Sequence, residues 1–281
     1  VVFVCNAHPS VSGLYIPGYQ RNMPASASNY LKQTQAGARR ILGVNVSMLQ
    51  GLHEESHAQL EEMFNFLASQ LAVTYAVQVA QPDSSSNLRY LGEEASLRGA
   101  AGLKVHPSRA GRVPSMAEAE ELMETCVRAD LYLGVCGWTA HSASAAHGKF
   151  LSDIIAAAKT VPSLRLLIFH AGGFHLPDLA RMADRLPNIL LETSFSLLRL
   201  GKREGVELCA SLLAEGYGLA FGTDWPDYRL ADYSEALDSL ADALPSVRLY
   251  ESYLWRNAVE FLQLDADKWR MQRSEVPDAH W

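Results

Sequence analysis

Titratable side chains recur in this chain where apolar runs end. "VVFVCNAHP" closes on Asn6 and His8, "GLKVHP" on Lys104 and His106, and "LYLGVCGW" on Cys136 and Trp138. "LLIFHAGG" closes on His170, "ILLETSF" on Glu192 and Ser194, and "LAFGTDWP" on Asp224 and Trp225. Imidazole, carboxylate, ammonium and thiol are the groups of general acid–base catalysis and of metal ligation. Asn6 and His8, Lys104 and His106, and Glu192 and Ser194 each stand two residues apart, the spacing that puts both side chains on one face of a strand. Any one of them alone reads as a hydrogen-bonded core residue or a loop residue. Together at one rim they read as a site, because burying each polar group is costly unless it is paired.

The elements that must carry these residues alternate. Val1–Asn6, Ile41–Leu49, Leu71–Val79, Gly102–His106, Leu131–Cys136, Leu164–His170, Asn188–Ser194 and Gly218–Asp224 are apolar runs with little in/out alternation, the pattern of strands covered on both faces. Between them, "EESHAQLEEMFNFLASQ", "SMAEAEELMETCVRA", "LPDLARMADRL" and "VELCASLLAEG" space their apolar residues as helices do. Strand and helix alternating through one chain of this length predict a single-domain (β/α)₈ barrel over residues 1–281, with chemistry at the carboxyl ends of the strands. A doubly wound open sheet is the other architecture with this rhythm, but no strand is followed by a Gly-x-Gly-x-x-Gly turn.

Composition narrows the partners. The 281 residues are 48% hydrophobic with a net charge of −7, enough apolar surface for a large core and the wrong sign for a nucleic-acid or anionic-membrane surface. No apolar run approaches a membrane span. Cys5, Cys126, Cys136 and Cys209 follow no framework of spacings, which predicts reduced thiols and a cytoplasmic protein. The chain begins at Val1 rather than Met and carries no signal peptide, so upstream residues are expected to be missing. The expected partners are a small-molecule substrate and, at most, a second copy of the chain.

In this order and spacing, "FHAGG…LPDLARMADRLPNILLETS", "AFGTDWP", "GLKVHP" and "RNAVEFLQL" resemble the amidohydrolase superfamily, in its amidohydrolase-2 branch, over nearly the whole chain. That branch holds decarboxylases of aromatic acids, lactonases and other hydrolases. The resemblance implies His-x-His at the end of strand 1, a histidine closing strand 5 and an aspartate closing strand 8 as zinc ligands, with the strand-6 histidine doing acid–base work beside the metal. The chain departs from this at Asn6 and Cys136. Two readings follow. Zinc, or another divalent metal, would sit on His8, Cys136 and Asp224; or no cofactor is bound, and Asp224 acts as base with cationic groups holding a carboxylated substrate. The metal-free reading is favoured, since His8 and Asp224 alone supply two of the three protein ligands a catalytic zinc takes, and the Cys136 thiolate would have to form beside the negative Asp224.

On that reading the chain hydrolyses an ester- or amide-like bond in a small carboxylated molecule. Asp224 takes a proton from water, and His170 polarises the carbonyl or stabilises the oxyanion. Lys104 either orients the substrate carboxylate or pairs with Asp224 or Glu192. Asn6, His106, Arg109, Arg112, Trp138 and Trp225 are the substrate-binding candidates, the two arginines being solvated loop charges otherwise. A zinc-dependent decarboxylase or amidohydrolase on His8, Cys136 and Asp224, and a barrel that has lost its reaction and acts as a binding protein, are the alternatives. His141, His147 and His175 read as surface histidines, Gly13–Pro24 as a lid or as packing for the barrel mouth, and "KWRMQRSEVPDAHW" as a tail packed on the barrel or a neighbour.

Overall fold

A computed structural model of the chain describes residues 1–10, 25–34, 39–48, 57–79, 85–110, 112–138, 145–200, 202–265 and 269. In chain order it runs β1 (Val2–Ala7), α1 (Ala27–Thr34), β2 (Ile41–Met48), α2 (His57–Ala68), β3 (Ala72–Val79), α3 (Ser85–Leu97), β4 (Gly102–Val105), a short α4 (Pro107–Ala110) and α5 (Met116–Arg128). There follow β5 (Tyr132–Cys136), α6 (Ala145–Thr160), β6 (Leu166–Phe169), a 3₁₀ turn His170–His175, α7 (Leu176–Ala183), β7 (Ile189–Glu192), α8 (Ser196–Arg199), α9 (Lys202–Ala214) and β8 (Leu219–Ala220). The helices α10 (Ser234–Ala243), α11 (Val247–Glu251) and α12 (Asn257–Phe261) finish the described chain.

The eight strands form one parallel sheet in the order β1 to β8. The last strand returns to the first: Cys5 N–H donates to the Phe221 carbonyl at 2.8 Å, and Asp224 N–H to that of Asn6 at 3.0 Å. His8 N–H completes the seam on the Trp225 carbonyl at 2.9 Å. The expected (β/α)₈ barrel is therefore the observed one, and its strands β1 and β4 to β8 are buried along their whole length. Helices on the outside explain why those strands read as unbroken apolar runs. Trp269 is buried edge-on against Phe3, with ring centroids 5.6 Å apart, so the tail at that point packs on the barrel. The rest of the tail and the expected lid at Gly13–Pro24 lie outside the described residues.

Several elements end earlier than their apolar runs. β6 stops at Phe169 because His170 and Ala171 take positive φ angles, 61° and 41°, which no continuing strand allows. α7 stops at Ala183 because Asp184 and Arg185 turn left-handed, at φ 53° and 58°. β8 is shorter still, because beyond Ala220 the backbone of Thr223 and Asp224 bonds to Asn6 of β1 rather than to β7.

Candidate active site

Asp224 is the centre of the site. It is 3% exposed, and its Oδ1 accepts from Asn6 Nδ2 at 2.6 Å and from His8 Nε2 at 2.9 Å. His170 Nε2 stands 3.7 Å from the same oxygen, too far for a hydrogen bond. Among the described residues every hydrogen bond to this carboxylate lands on Oδ1, which leaves Oδ2 as its working oxygen. Burial pushes Asp224 up, but His170, His8 and Lys104 together outweigh it and hold the carboxyl below the usual range.

Proton positions follow from the partners. His8 Nδ1 is 2.7 Å from the Ser47 carbonyl, which can only accept, so that nitrogen carries a hydrogen. A further proton must then lie between His8 Nε2 and Asp224, making the contact a charge-assisted one. Asn6 is fixed in the same way. Its amide N–H faces the carboxylate at 2.6 Å, and its Oδ1 accepts from Ser47 Oγ at 3.1 Å. The opposite amide orientation would set two oxygens against each other.

His170 is oriented from β7. Its backbone N–H donates to Glu192 Oε2 at 3.0 Å, and its Nδ1 lies 2.8 Å from Ser194 Oγ. Ser194 Oγ in turn donates to Glu192 Oε2 at 2.9 Å, and Ser194 N–H donates to Oε1. With the serine proton committed to the carboxylate, His170 donates from Nδ1 and its Nε2 is bare. Burial is the main cause that lowers the His170 pKa to about 4, with Lys104 and His8 adding and Asp224 opposing. Burial likewise raises Glu192 to about 7, against the donors from His170 and Ser194. Gly222 makes room for this carboxylate: a Cβ there would lie 2.2 Å from Glu192 Oε1.

Lys104 is 1% exposed, with Nζ 4.0 Å from the Phe169 ring centroid, and its positive charge acts on Asp224, His170 and the Cys136 thiol. The wall is aromatic. Phe195 stacks on His170 with centroids 4.7 Å apart, and Trp138 and Tyr228 meet Phe195 edge-on. Phe195 (φ 44°), Asp224 (φ 53°), His170 and Ala171 all hold positive φ without being glycine. Backbone strain of about 1–3 kcal/mol per residue thus gathers at the ends of β6, β7 and β8.

Asn6, His8, Lys104, Cys136, His170 and Asp224 therefore meet as the sequence suggests. Trp138 stands on the aromatic wall, whereas Trp225 is buried edge-on against Tyr30 of α1, 5.1 Å between centroids. His106 is half-buried just past β4. Arg112 forks onto Glu118 at 2.9 and 2.7 Å, so the carboxylate its guanidinium meets is one of the chain's own. That fork, backed by Ser115, draws Glu118 down to about 2 and ties the loop to the capping box of α5. The side chain of Arg109 and all of His141 lie outside the described residues. His175 is exposed, as expected. His147 is not: it is buried on α6, its Nε2–H donating to the Cys136 carbonyl at 3.0 Å, because helical spacing turns it toward β5.

The donor set does not fit a metal. Asn6 presents an N–H, not a lone pair, to the centre of the site. The Cys136 thiol, raised to about 11 chiefly by burial, keeps its proton at neutral pH. Among the described residues no three His, Cys, Asp or Glu side chains converge as a metal would require. Glu192, Ser194 and Ser47 complete the site. The first two were legible at the end of a strand but without a role; nothing in a strand serine flags Ser47.

No curated protein sequence matches the chain. Solved structures do. An uncharacterized TIM-barrel protein of Bordetella bronchiseptica superposes with a TM-score of 0.67 at 16% identity, over 85% of this chain and 83% of that one. A dihydroorotase of Campylobacter jejuni gives 0.61 at 14% identity, over 94% and 83%. A 5-carboxyvanillate decarboxylase of Novosphingobium aromaticivorans, solved with manganese and 4-hydroxy-3-methoxy-5-nitrobenzoic acid, gives 0.59 at 14%, over 86% and 82%. At these identities the likeness is one of fold. The family itself is shown by sequence: residues 63–264 match the profile described as amidohydrolase. On that match, and with decarboxylases and a dihydroorotase sharing its barrel, the chain belongs to the amidohydrolase superfamily, in the amidohydrolase-2 branch.

Proposed function

We propose that this chain is a metal-independent hydrolase of an ester- or lactone-like bond, or of an amide-like one, in a small carboxylated molecule. The observation that carries the reading is the pair of acceptors 3.7 Å apart, a carboxylate and a bare imidazole nitrogen. Water that bridges Nε2 and the carboxylate's other oxygen, Oδ2, donates one O–H to each. Asn6 and His8 hold Oδ1, so Asp224 offers Oδ2 as the base. A carboxylate held so low is a weak base toward resting water. It accepts the proton as attack on the carbonyl makes that water acidic, and hands it to the leaving oxygen.

His170 has a different part from the one its position alone suggested. With hydrogen on Nδ1 it cannot donate from Nε2 to a carbonyl, so it aligns water instead. The buried ammonium of Lys104 supplies the positive charge for an oxyanion or a substrate carboxylate. Two of the four metal ligands that the resemblance implies are replaced here by an amide donor and a protonated thiol, which supports a reaction without a metal.

A panel of lactones, esters, amides and aromatic acids tests this. Hydrolysis of lactones or esters is expected, and Asp224→Asn should lower kcat by about 10²–10⁴-fold. Release of carbon dioxide from aromatic acids, with lactones inert, would replace the hydrolase by a decarboxylase. Asp224→Asn with every activity intact would make the barrel a binding protein. Elemental analysis of protein purified without added metal should find well below one zinc or manganese per chain. A stoichiometric metal that Cys136→Ser removes would overturn the metal-free reading.

A further inference from the structure

We propose that Glu192, acting through the hydroxyl of Ser194, is the terminal acceptor of a proton that His170 takes at Nε2. The chain Nε2–Nδ1–Oγ–Oε2 is continuous, with contacts of 2.8 and 2.9 Å. The inference rests on the hydrolytic reading above and answers a question it raises. Hydrolysis of an ester-like bond strips both protons from water. One goes through Asp224 to the leaving oxygen, and the other is released as the new carboxyl ionises. Asp224 cannot hold both.

The second proton has a route whose atoms balance. A proton arrives at His170 Nε2 while the Nδ1 proton passes to Ser194 Oγ, and the serine's own proton passes to Glu192 Oε2. The ring is neutral before and after, with its hydrogen moved from Nδ1 to Nε2, and the carboxylate has become a carboxylic acid. When product leaves, the same steps in reverse return the proton to Nε2 and to solvent.

The surroundings suit Glu192 to this part. Asp224 faces it from beyond β8, Cys5 from β1 and Cys136 from β5, with Tyr233 and Tyr253 from the C-terminal segment. Burial raises the pKa of each of those thiols and phenols, so they stay neutral and Asp224 is the charge among them. Lys104 acts on Asp224, on the His170 ring and on both thiols. A ring lowered to about 4 is a poor resting place for a proton, whereas a carboxyl near 7 is a good one. The relay thus lends His170 a basicity the imidazole lacks.

The tautomer of His170 reports the relay directly. In protein with isotope-labelled histidine nitrogens, its signals are assigned by their loss in His170→Asn. Between about pH 9 and about pH 5 the ring should stay neutral while its hydrogen moves from Nδ1 to Nε2, with a midpoint near 7, the Glu192 value. Glu192→Gln removes the titrating carboxyl, so the ring should keep a single tautomer across this range. Ser194→Ala should uncouple the ring from Glu192. A wild-type ring that keeps one tautomer across this range would overturn the relay. So would one that switches identically in Glu192→Gln, and the wild-type titration decides alone if that variant does not fold. None of these readouts needs substrate, so the relay can fail while hydrolysis is found, or hold while it is not.

Discussion

A single carboxylate oxygen gathers the ends of the chain: Oδ1 of Asp224 takes its hydrogen bonds from Asn6 and His8, and His170 faces it from β6. Each of these residues was legible because it interrupts an apolar run. The part played by Glu192 was not, because its bond to the His170 backbone exists only at a φ of 61° that no residue type announces. The two shifted groups oppose each other in pH dependence. Glu192, raised from 4.5 to about 7, contributes stability that is present below 4.5 and lost as pH rises through 7. His170, lowered from 6.5 to about 4, contributes stability present above 6.5 and lost as pH falls through 4. Their slopes cancel over the shared window. Glu192→Gln removes one of them, so the stability of the wild type relative to the variant should fall by roughly 3 kcal/mol between pH 4.5 and 7. Urea unfolding at a series of pH values measures this; a difference flat with pH would mean that Glu192 does not bind its proton in this range.

At the scale of elements, the helices kept the spacing their apolar residues predicted. Two of the early ends, at β6 and α7, are those where left-handed residues stop the chain. β8 has its own constraint at Gly222. A methyl group there would meet the Glu192 carboxylate at 2.2 Å, and that side chain can yield only by giving up its bonds from His170 and Ser194. Gly222→Ala should therefore cost about 1–3 kcal/mol and release the hold on His170, seen as a lower midpoint of unfolding and loss of the tautomer switch. A contrasting change lies on α5. Ser115 caps that helix and shares Glu118 with Arg112, so Ser115→Ala should cost about 1 kcal/mol. Equal activity in that variant would set the Arg112 fork apart from substrate binding, and a raised KM would return it there.

The barrel as a whole was legible from alternation alone, since eight buried runs separated by amphipathic helices leave few other solutions. What the loops above the site contain was not, for their residues carry no periodicity. The seam between β1 and β8 carries both polar anchors of Asp224, across 218 and 216 residues of sequence. A double-mutant cycle of His8→Ala and Asp224→Ala on unfolding free energy should give a coupling of about 1–3 kcal/mol, and no coupling would mean that the pair holds nothing together. Closing a loop of this length costs about 5 kcal/mol in chain entropy, which must be met before those bonds can form. The consequence is one of timing. During synthesis β1 precedes β8, so its asparagine and histidine can meet Ser47 of β2 early but wait for Asp224 until 218 and 216 further residues have followed. A chain cut short before β8 therefore carries seven strands and the residues of the Glu192–Ser194–His170 relay but lacks the carboxylate at the centre of the site, which arrives with the last strand.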